Sequence, residues 1–224
     1  ARIIDIGAES SNPKAQPISA QEEIQRLTPI VKTLRHELSA FISIDTYHPE
    51  TMRAMIDLGV DIINDINGFR DPESLKAVSV SHVHLVTMHL DNPIETMHVV
   101  TEHHNIVESI QLFFNERMAT FAEYGIDPTR VILDPGFGFG KTTDEQIDLL
   151  QHLEHLTLLP YPMLIGLSRK RLIGHLTNVD TAKDRTIGNV ASALWCLQKG
   201  AKIFRVHDVK ATREAFSLWH QLSH

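Results

Sequence analysis

Val131-Ile132-Leu133-Asp134-Pro135-Gly136-Phe137-Gly138-Phe139-Gly140-Lys141-Thr142 is the stretch on which the fold turns. Its apolar, β-branched opening suits a strand, Asp134 puts a carboxylate at the strand's end, and proline with glycines makes the loop that follows. Helical spacing resumes over 144–155.

The same unit recurs on either side. Strands are predicted at 2–6, 41–45, 60–66, 83–89, 130–134, 162–167 and 202–207, with helical stretches near 20–38, 49–58, 72–80, 101–124, 144–155, 182–199 and 211–221. Strand and helix take turns, which is the pattern of βαβ units around a parallel sheet. Ser19 ahead of Glu22-Glu23 reads as a capping box, and Gly59, Gly125 and Gly200 stop helices just before strands. No linker, repeat or shift in composition divides the chain, so residues 1–224 read as a single α/β domain.

Polar groups fall near the C-terminal ends of the predicted strands: Glu9, Asp45, Asn64 with Asp65, His89, Asp134, Ser168 with Lys170, and Arg205 with His207. In a closed barrel these ends converge on one mouth, whereas an open sheet spreads them along an edge. A (β/α)8 TIM barrel is therefore the expected fold.

The mouth would hold carboxylates (Asp45, Asp65, Asp134), an amide (Asn64) and cations (Lys170, Arg205, His207). That set suits a ligand with two ends, one planar and rich in donors, the other anionic. Arg205-Val206-His207 alternates, so Arg205 and His207 are expected to point to one place. The glycine-rich loop is not a Walker A motif, because Pro135 stands where its first glycine must be. Nor is it a dinucleotide fingerprint, whose third glycine would fall at Lys141. It reads as a flexible loop that offers Phe137 and Phe139 to the mouth.

Composition excludes other classes. The chain has 224 residues, 42% hydrophobic and 22% charged, with 21 basic against 28 acidic residues and a net charge of −7. A nucleic-acid or anionic-membrane binder would need a basic footprint. No apolar run approaches the ~20 residues that span a bilayer. Cys196, the single cysteine, sits in an apolar run and reads as a buried thiol in a reducing, cytoplasmic compartment. The pairs His103/His104 and His152/His155 lack a third ligand, which argues against a zinc centre. No serine lies in a nucleophile elbow.

Read together, Asp5-Ile6-Gly7-Ala8-Glu9-Ser10-Ser11-Asn12-Pro13, Ile42-Ser43-Ile44-Asp45-Thr46, Ile62-Ile63-Asn64-Asp65-Ile66, Met88-His89, Leu133-Asp134-Pro135-Gly136-Phe137-Gly138-Phe139-Gly140-Lys141, Gly166-Leu167-Ser168-Arg169-Lys170 and Arg205-Val206-His207-Asp208 resemble, in order, the motifs of the dihydropteroate synthases, pterin-binding enzymes. The resemblance implies a transferase of folate biosynthesis that condenses 6-hydroxymethyl-7,8-dihydropterin pyrophosphate with 4-aminobenzoate, and a sulfonamide target. It implies that Asp45, Asn64, Ile66, Met88, Asp134 and Lys170 bind the pterin. Ser11, Arg205 and His207 would hold the pyrophosphate, and Phe139 and Ser168 would receive the aminobenzoate. No residue acts as a nucleophile. It also implies Mg2+ as cofactor and a cytoplasmic homodimer, with Trp195 and Trp219 in the right part of the chain for the contact.

Two features depart from the family pattern. Asn12 replaces an arginine and Ser11 a threonine. The family's first strand and its loop, which carries the metal-binding asparagine, have no counterpart before Ala1, so the metal ligand is expected outside this sequence. A non-catalytic pterin-binding paralogue and the pterin-binding domain of a methyltetrahydrofolate methyltransferase are the alternatives; the latter uses no pyrophosphate and so has no need of Lys170 or the Arg205/His207 pair.

Overall fold

The computed structural model describes residues 1–9 and 16–223; Ser11 and Asn12 lie outside them. Among the described residues there are seven parallel strands: β1 (Ile3–Gly7), β2 (Phe41–Asp45), β3 (Ile62–Asp65), β4 (His84–Met88), β5 (Val131–Asp134), β6 (Leu164–Ile165) and β7 (Ile203–Phe204). β1 to β5 pair in sequence order, β6 pairs with β7, and a Leu133–Met163 bridge joins the two groups. The order is that of a (β/α)8 barrel, in which each strand pairs with the next.

Side-chain parity confirms a barrel with an interior. Ile62, Val86, Ile132 and Leu164 form a cluster of their own, with Ile3 and Ile203 packed against it. These residues come from six different strands and are separate from the larger core between sheet and helices. They are the barrel's inner layer. Because side chains alternate along a strand, the residue two places further on each strand also faces inward. Those residues are Asp5, Asn64, Met88, Asp134, Gly166 and Arg205, with Asp45 following inward Ser43 on β2. An apolar floor thus carries a largely polar layer of Asp5, Asp45, Asn64, Asp134 and Arg205, which is the candidate site.

Around the strands lie α1 (Ala20–Glu37), α2 (Pro49–Asp57), α3 (Pro72–Ser79), α4 (Ile106–Glu123), α5 (Thr143–Gln151), α6 (Glu154–Thr157), α7 (Arg171–Thr177), α8 (Thr186–Gln198) and α9 (Val209–Leu222). Several limits differ from the sequence expectation. α4 begins only at Ile106, because Asn105 caps it by accepting the Glu108 N–H at 3.1 Å. The stretch expected as one helix over 144–155 breaks into α5 and α6. Ser19 accepts the Glu22 N–H at 3.2 Å, but the Glu22 carboxylate turns to Arg26, so the reciprocal half of the box is missing there. The full capping box is at Thr142 and Glu145 instead. Gly59, Gly125 and Gly200 do end helices with positive φ. Cys196 is fully buried, which pushes its thiol up to about 12.

Candidate active site

The polar layer is one connected set. Asp134, 2% exposed, ends β5; its Oδ1 accepts the Gly136 N–H at 2.8 Å and its Oδ2 lies 3.4 Å from Arg205 Nη2. Arg205 Nη1 lies 3.3 Å from Asp5 Oδ2, and the same oxygen takes the Asn64 amide at 3.5 Å. Arg205 can lie there because β6 presents glycine at its inward position: a Cβ on Gly166 would sit 3.1 Å from Arg205 Nη2.

The electrostatics follow from enclosure. Loss of water, reinforced by Asp5, pushes the Asp45 carboxyl up to about 7 despite the opposing pull of Arg205. Enclosure lowers the Lys170 ammonium to about 7, against the attraction of Asp134. Burial would lower Arg205 too, but Asp134, Asp45 and Asp5 outweigh it and raise the guanidinium. Asn64, 2% exposed, spends its amino group on Asp5, and its carbonyl Oδ1 has no partner among the described residues. A buried acceptor without a donor costs about 1–3 kcal/mol, so a donor brought to it would be favoured.

Above this layer Ile66, Met88, Leu90 and Phe139 make a small apolar cluster, with Tyr47, Ile94 and Met97 packed against it. Lys170 Nζ sits 4.7 Å above the Phe139 ring and donates to the Phe137 carbonyl. Aliphatic and aromatic side chains thus stand beside the acceptors of the polar layer. Ser168 accepts the His207 N–H at 3.1 Å, and its Oγ lies 3.0 Å from His207 Nδ1.

Most residues singled out from sequence gather here, and some readings are corrected. Asp65 does not face the mouth: one step from Asn64, it lies on the opposite face of the strand and accepts the Asn67 and Phe69 N–H groups at 2.7 and 2.8 Å. Burial raises it to about 7. Phe137 is fully buried in the main core and offers nothing to the mouth. The glycine-rich loop is clamped rather than flexible, since buried Lys141 donates to the carbonyls of Gly136 and Phe139 at 3.0 and 3.2 Å. Gly136 is obligatory there, with φ of 68° and a Cβ position only 2.1 Å from the His89 carbonyl oxygen. Beyond the end of β7 at Phe204, Arg205 turns to Asp5 and Asp134 while exposed His207 turns to Ser168, and the two stay near enough for Arg205 to help lower the His207 imidazole, behind burial and Arg169. Asp5, which stands outside the set expected to bind, joins the candidate site through Arg205 and Asn64, and its parity with Ile3 is the signal that finds it.

A parallel α/β barrel with carboxylates, an amide and cations meeting at the C-terminal ends of its strands is a small-molecule enzyme by class. The family model of the pterin binding enzymes matches residues 1–207. The dihydropteroate synthase of Haemophilus influenzae is 38% identical over 219 residues, 98% of this chain and 79% of that one. Among solved structures, the dihydropteroate synthase of Xanthomonas albilineans with 4-aminobenzoic acid is 38% identical with a TM-score of 0.94, covering all of this chain and 80% of that one. The Burkholderia cenocepacia dihydropteroate synthase complexed with 7,8-dihydropteroate has the same identity and a TM-score of 0.94, over all of this chain and 82% of that one. The chain belongs to the pterin-binding enzymes, in the dihydropteroate synthase family.

Proposed function

We infer that this protein is a transferase that condenses 6-hydroxymethyl-7,8-dihydropterin pyrophosphate with 4-aminobenzoate, giving 7,8-dihydropteroate and pyrophosphate. The observation that carries the reading is the partnerless Asn64 Oδ1, in register with Asp45 on the neighbouring strand; with Asp134 these acceptors would line one end of a pterin slot. An aminopyrimidine edge supplies the matching donors. Lys170 stands on the slot's other side as donor to the pterin's carbonyl and ring nitrogen, while Ile66, Met88 and Phe139 sandwich its faces.

The reaction breaks the bond from the pterin methylene to the pyrophosphate oxygen and forms a bond from that carbon to the arylamine nitrogen, which gives up one proton. The departing group carries the electron pair. No protein nucleophile is needed, so the residues position the partners and offset charge. Arg205 and His207 are the cations nearest the leaving group, with Ser11 as the further hydroxyl expected from the resemblance. Ser168, bonded to His207, and Phe139 receive the aminobenzoate, so the two substrates adjoin at the Ser168–His207 contact.

Magnesium would share the pyrophosphate's charge. Among the described residues no group of three or more His, Cys, Asp or Glu is placed to hold a metal, and Asp5 and Asp134 are engaged by Arg205. These residues alone do not fit a magnesium site, and the steps above run through none. A homodimer is supported by apolar residues left exposed on α8 and α9, among them Ile187, Trp195, Leu218 and Leu222, with Trp219 half-buried beside them. No described helix is long and apolar enough to cross a membrane, which is compatible with the cytoplasmic site expected for a folate enzyme.

The test is to incubate the protein, with and without Mg2+, with pterin pyrophosphate and 4-aminobenzoate and to follow pyrophosphate and dihydropteroate together. Equimolar formation of both, slowed by a sulfonamide competing with aminobenzoate, is expected. Pterin binding without product would select the non-catalytic paralogue; preference for methyltetrahydrofolate would select the methyltransferase domain.

A further inference from the structure

The loop that carries Ser168 and Lys170 turns at Arg169, whose φ of 63° lies in the left-handed region. A residue with a side chain stays there only where its surroundings hold it. The holding group is Asn189 on α8, 3% exposed, whose Oδ1 accepts the Arg169 N–H at 2.9 Å. Its Nδ2 donates to Asp208 Oδ2 at 3.1 Å, and Asp208 Oδ1 takes Arg169 Nη2 at 3.0 Å. Arg185, at the start of the same helix, donates from Nη1 to the carbonyls of Arg169 and Lys170 at 2.9 and 3.0 Å. One buried amide therefore ties two loops: the one after β6, with Ser168, and the one after β7, where Asp208 follows His207.

We propose that Asn189 is a positioning residue for the condensation, setting the spacing between Ser168 and His207 and so the approach of the arylamine to the carbon that loses pyrophosphate. The role rests on the function proposed above. It acts on the acceptor side of the reaction, because Lys170 Nζ has an anchor of its own in the Phe137 carbonyl, whereas Ser168 hangs directly on the Arg169 turn. A displacement of about 1 Å at such a contact can cost roughly 100-fold in rate.

Three variants of the whole chain test it. Asn189→Leu removes both bonds at similar volume. Asn189→Asp keeps the acceptor for the Arg169 N–H but sets a carboxylate against Asp208. Asn189→Asp combined with Asp208→Asn restores a donor–acceptor pair with its direction reversed. Expected for Asn189→Leu and Asn189→Asp is at least a tenfold fall in kcat/KM for 4-aminobenzoate, with the dissociation constant for free pterin, which carries no pyrophosphate for His207 to hold, changed less than threefold. The double exchange should regain at least a third of the wild-type value. A parallel loss of pterin affinity and thermal stability, or no recovery in the double exchange, would overturn the positioning role in favour of a merely structural one. Asn189→Leu with wild-type kinetics overturns it outright. If Asn189→Leu does not fold, the Asn189→Asp pair decides alone. Wild-type protein that forms no dihydropteroate sinks the function reading itself, and the role with it.

Discussion

Arg205 and Asp5 join the two end strands of the sheet order, Nη1 to Oδ2 at 3.3 Å, although they are 200 residues apart in the chain and β7 and β1 do not pair with one another among the described residues. The guanidinium's other arm faces Asp134 at 3.4 Å. It is thus the counter-charge of the whole carboxylate layer. Arg205→Met leaves Asp134 buried without it, and breaking a buried pair typically costs ~3–5 kcal/mol. Because the Arg205 head retains 28% exposure, the expected loss is smaller, about 1–3 kcal/mol, read from denaturant midpoints. Pterin pyrophosphate should bind more weakly at the same time. A variant as stable as wild type would show that the pairing carries no weight.

The pH dependence of kcat/KM for pterin pyrophosphate should be a narrow bell with its top near neutrality. Asp45 accepts most strongly when ionised, with both oxygens free of a proton, and enclosure has moved it from 3.8 to about 7. Lys170 serves as a charged donor only when protonated, and enclosure has moved it from 10.5 to about 7. Asp45→Asn should flatten the acid limb and Lys170→Met the alkaline one, each at a large cost in affinity. Stability of the free protein responds in the opposite sense. A raised carboxyl favours the native state when protonated, so its contribution falls as pH climbs from about 4 to 7; a lowered lysine favours it when neutral, so its contribution returns between about 7 and 10.5. Profiles that keep both limbs in both variants would assign the ionisations elsewhere.

Gly166→Ala tests the space through which Arg205 reaches the carboxylates. The added methyl meets Nη2 at 3.1 Å and Nε at 3.3 Å, tighter than side chains normally pack, so the guanidinium must give by a few tenths of an ångström, which loosens its 3.4 Å approach to Asp134. We expect affinity for pterin pyrophosphate to fall about tenfold, while free pterin without the pyrophosphate loses far less. Calorimetric titration of both ligands decides it, and equal losses would mean that the methyl disturbs the slot rather than the cation.

How far the sequence discloses this site depends on how local its causes are. Asn64, Met88 and Asp134 are legible because each lies two residues beyond an inward apolar residue, and alternation along a strand is a local rule. Asp65 misleads for the same reason, being one step out of phase. The wall made by Ile94 and Met97 is not legible, since the 91–105 connection has no period and takes its shape from contacts with the glycine loop, such as Thr101 N–H to the Gly140 carbonyl at 2.9 Å. The left-handed turn at Arg169 is invisible too, because its cause, Asn189, stands 20 residues downstream.

That connection is fastened by His103, which supplies the last prediction. Its Nε2 lies 3.0 Å from Asp91 and its Nδ1 2.8 Å from Glu145, so both ring nitrogens donate to carboxylates and the ring is an imidazolium. Burial would lower it, but the hydrogen bonds to Asp91 and Glu145 prevail and raise it above 6.5. His89, edge-on to it at 6.3 Å, goes the other way: burial and the nearby Lys141 hold it neutral. A group raised in the folded state contributes fully below its unfolded value and loses that contribution as pH rises through the folded one. Wild type should therefore exceed His103→Leu by about 1–3 kcal/mol at pH 5.5, the worth of hydrogen bonds to charged groups, with the difference shrinking as pH rises above 6.5 and through the raised folded-state value. Urea unfolding of both proteins across that range measures it. A difference independent of pH would mean that the ring acts by packing alone, and that the strap over the slot is not fastened by charge.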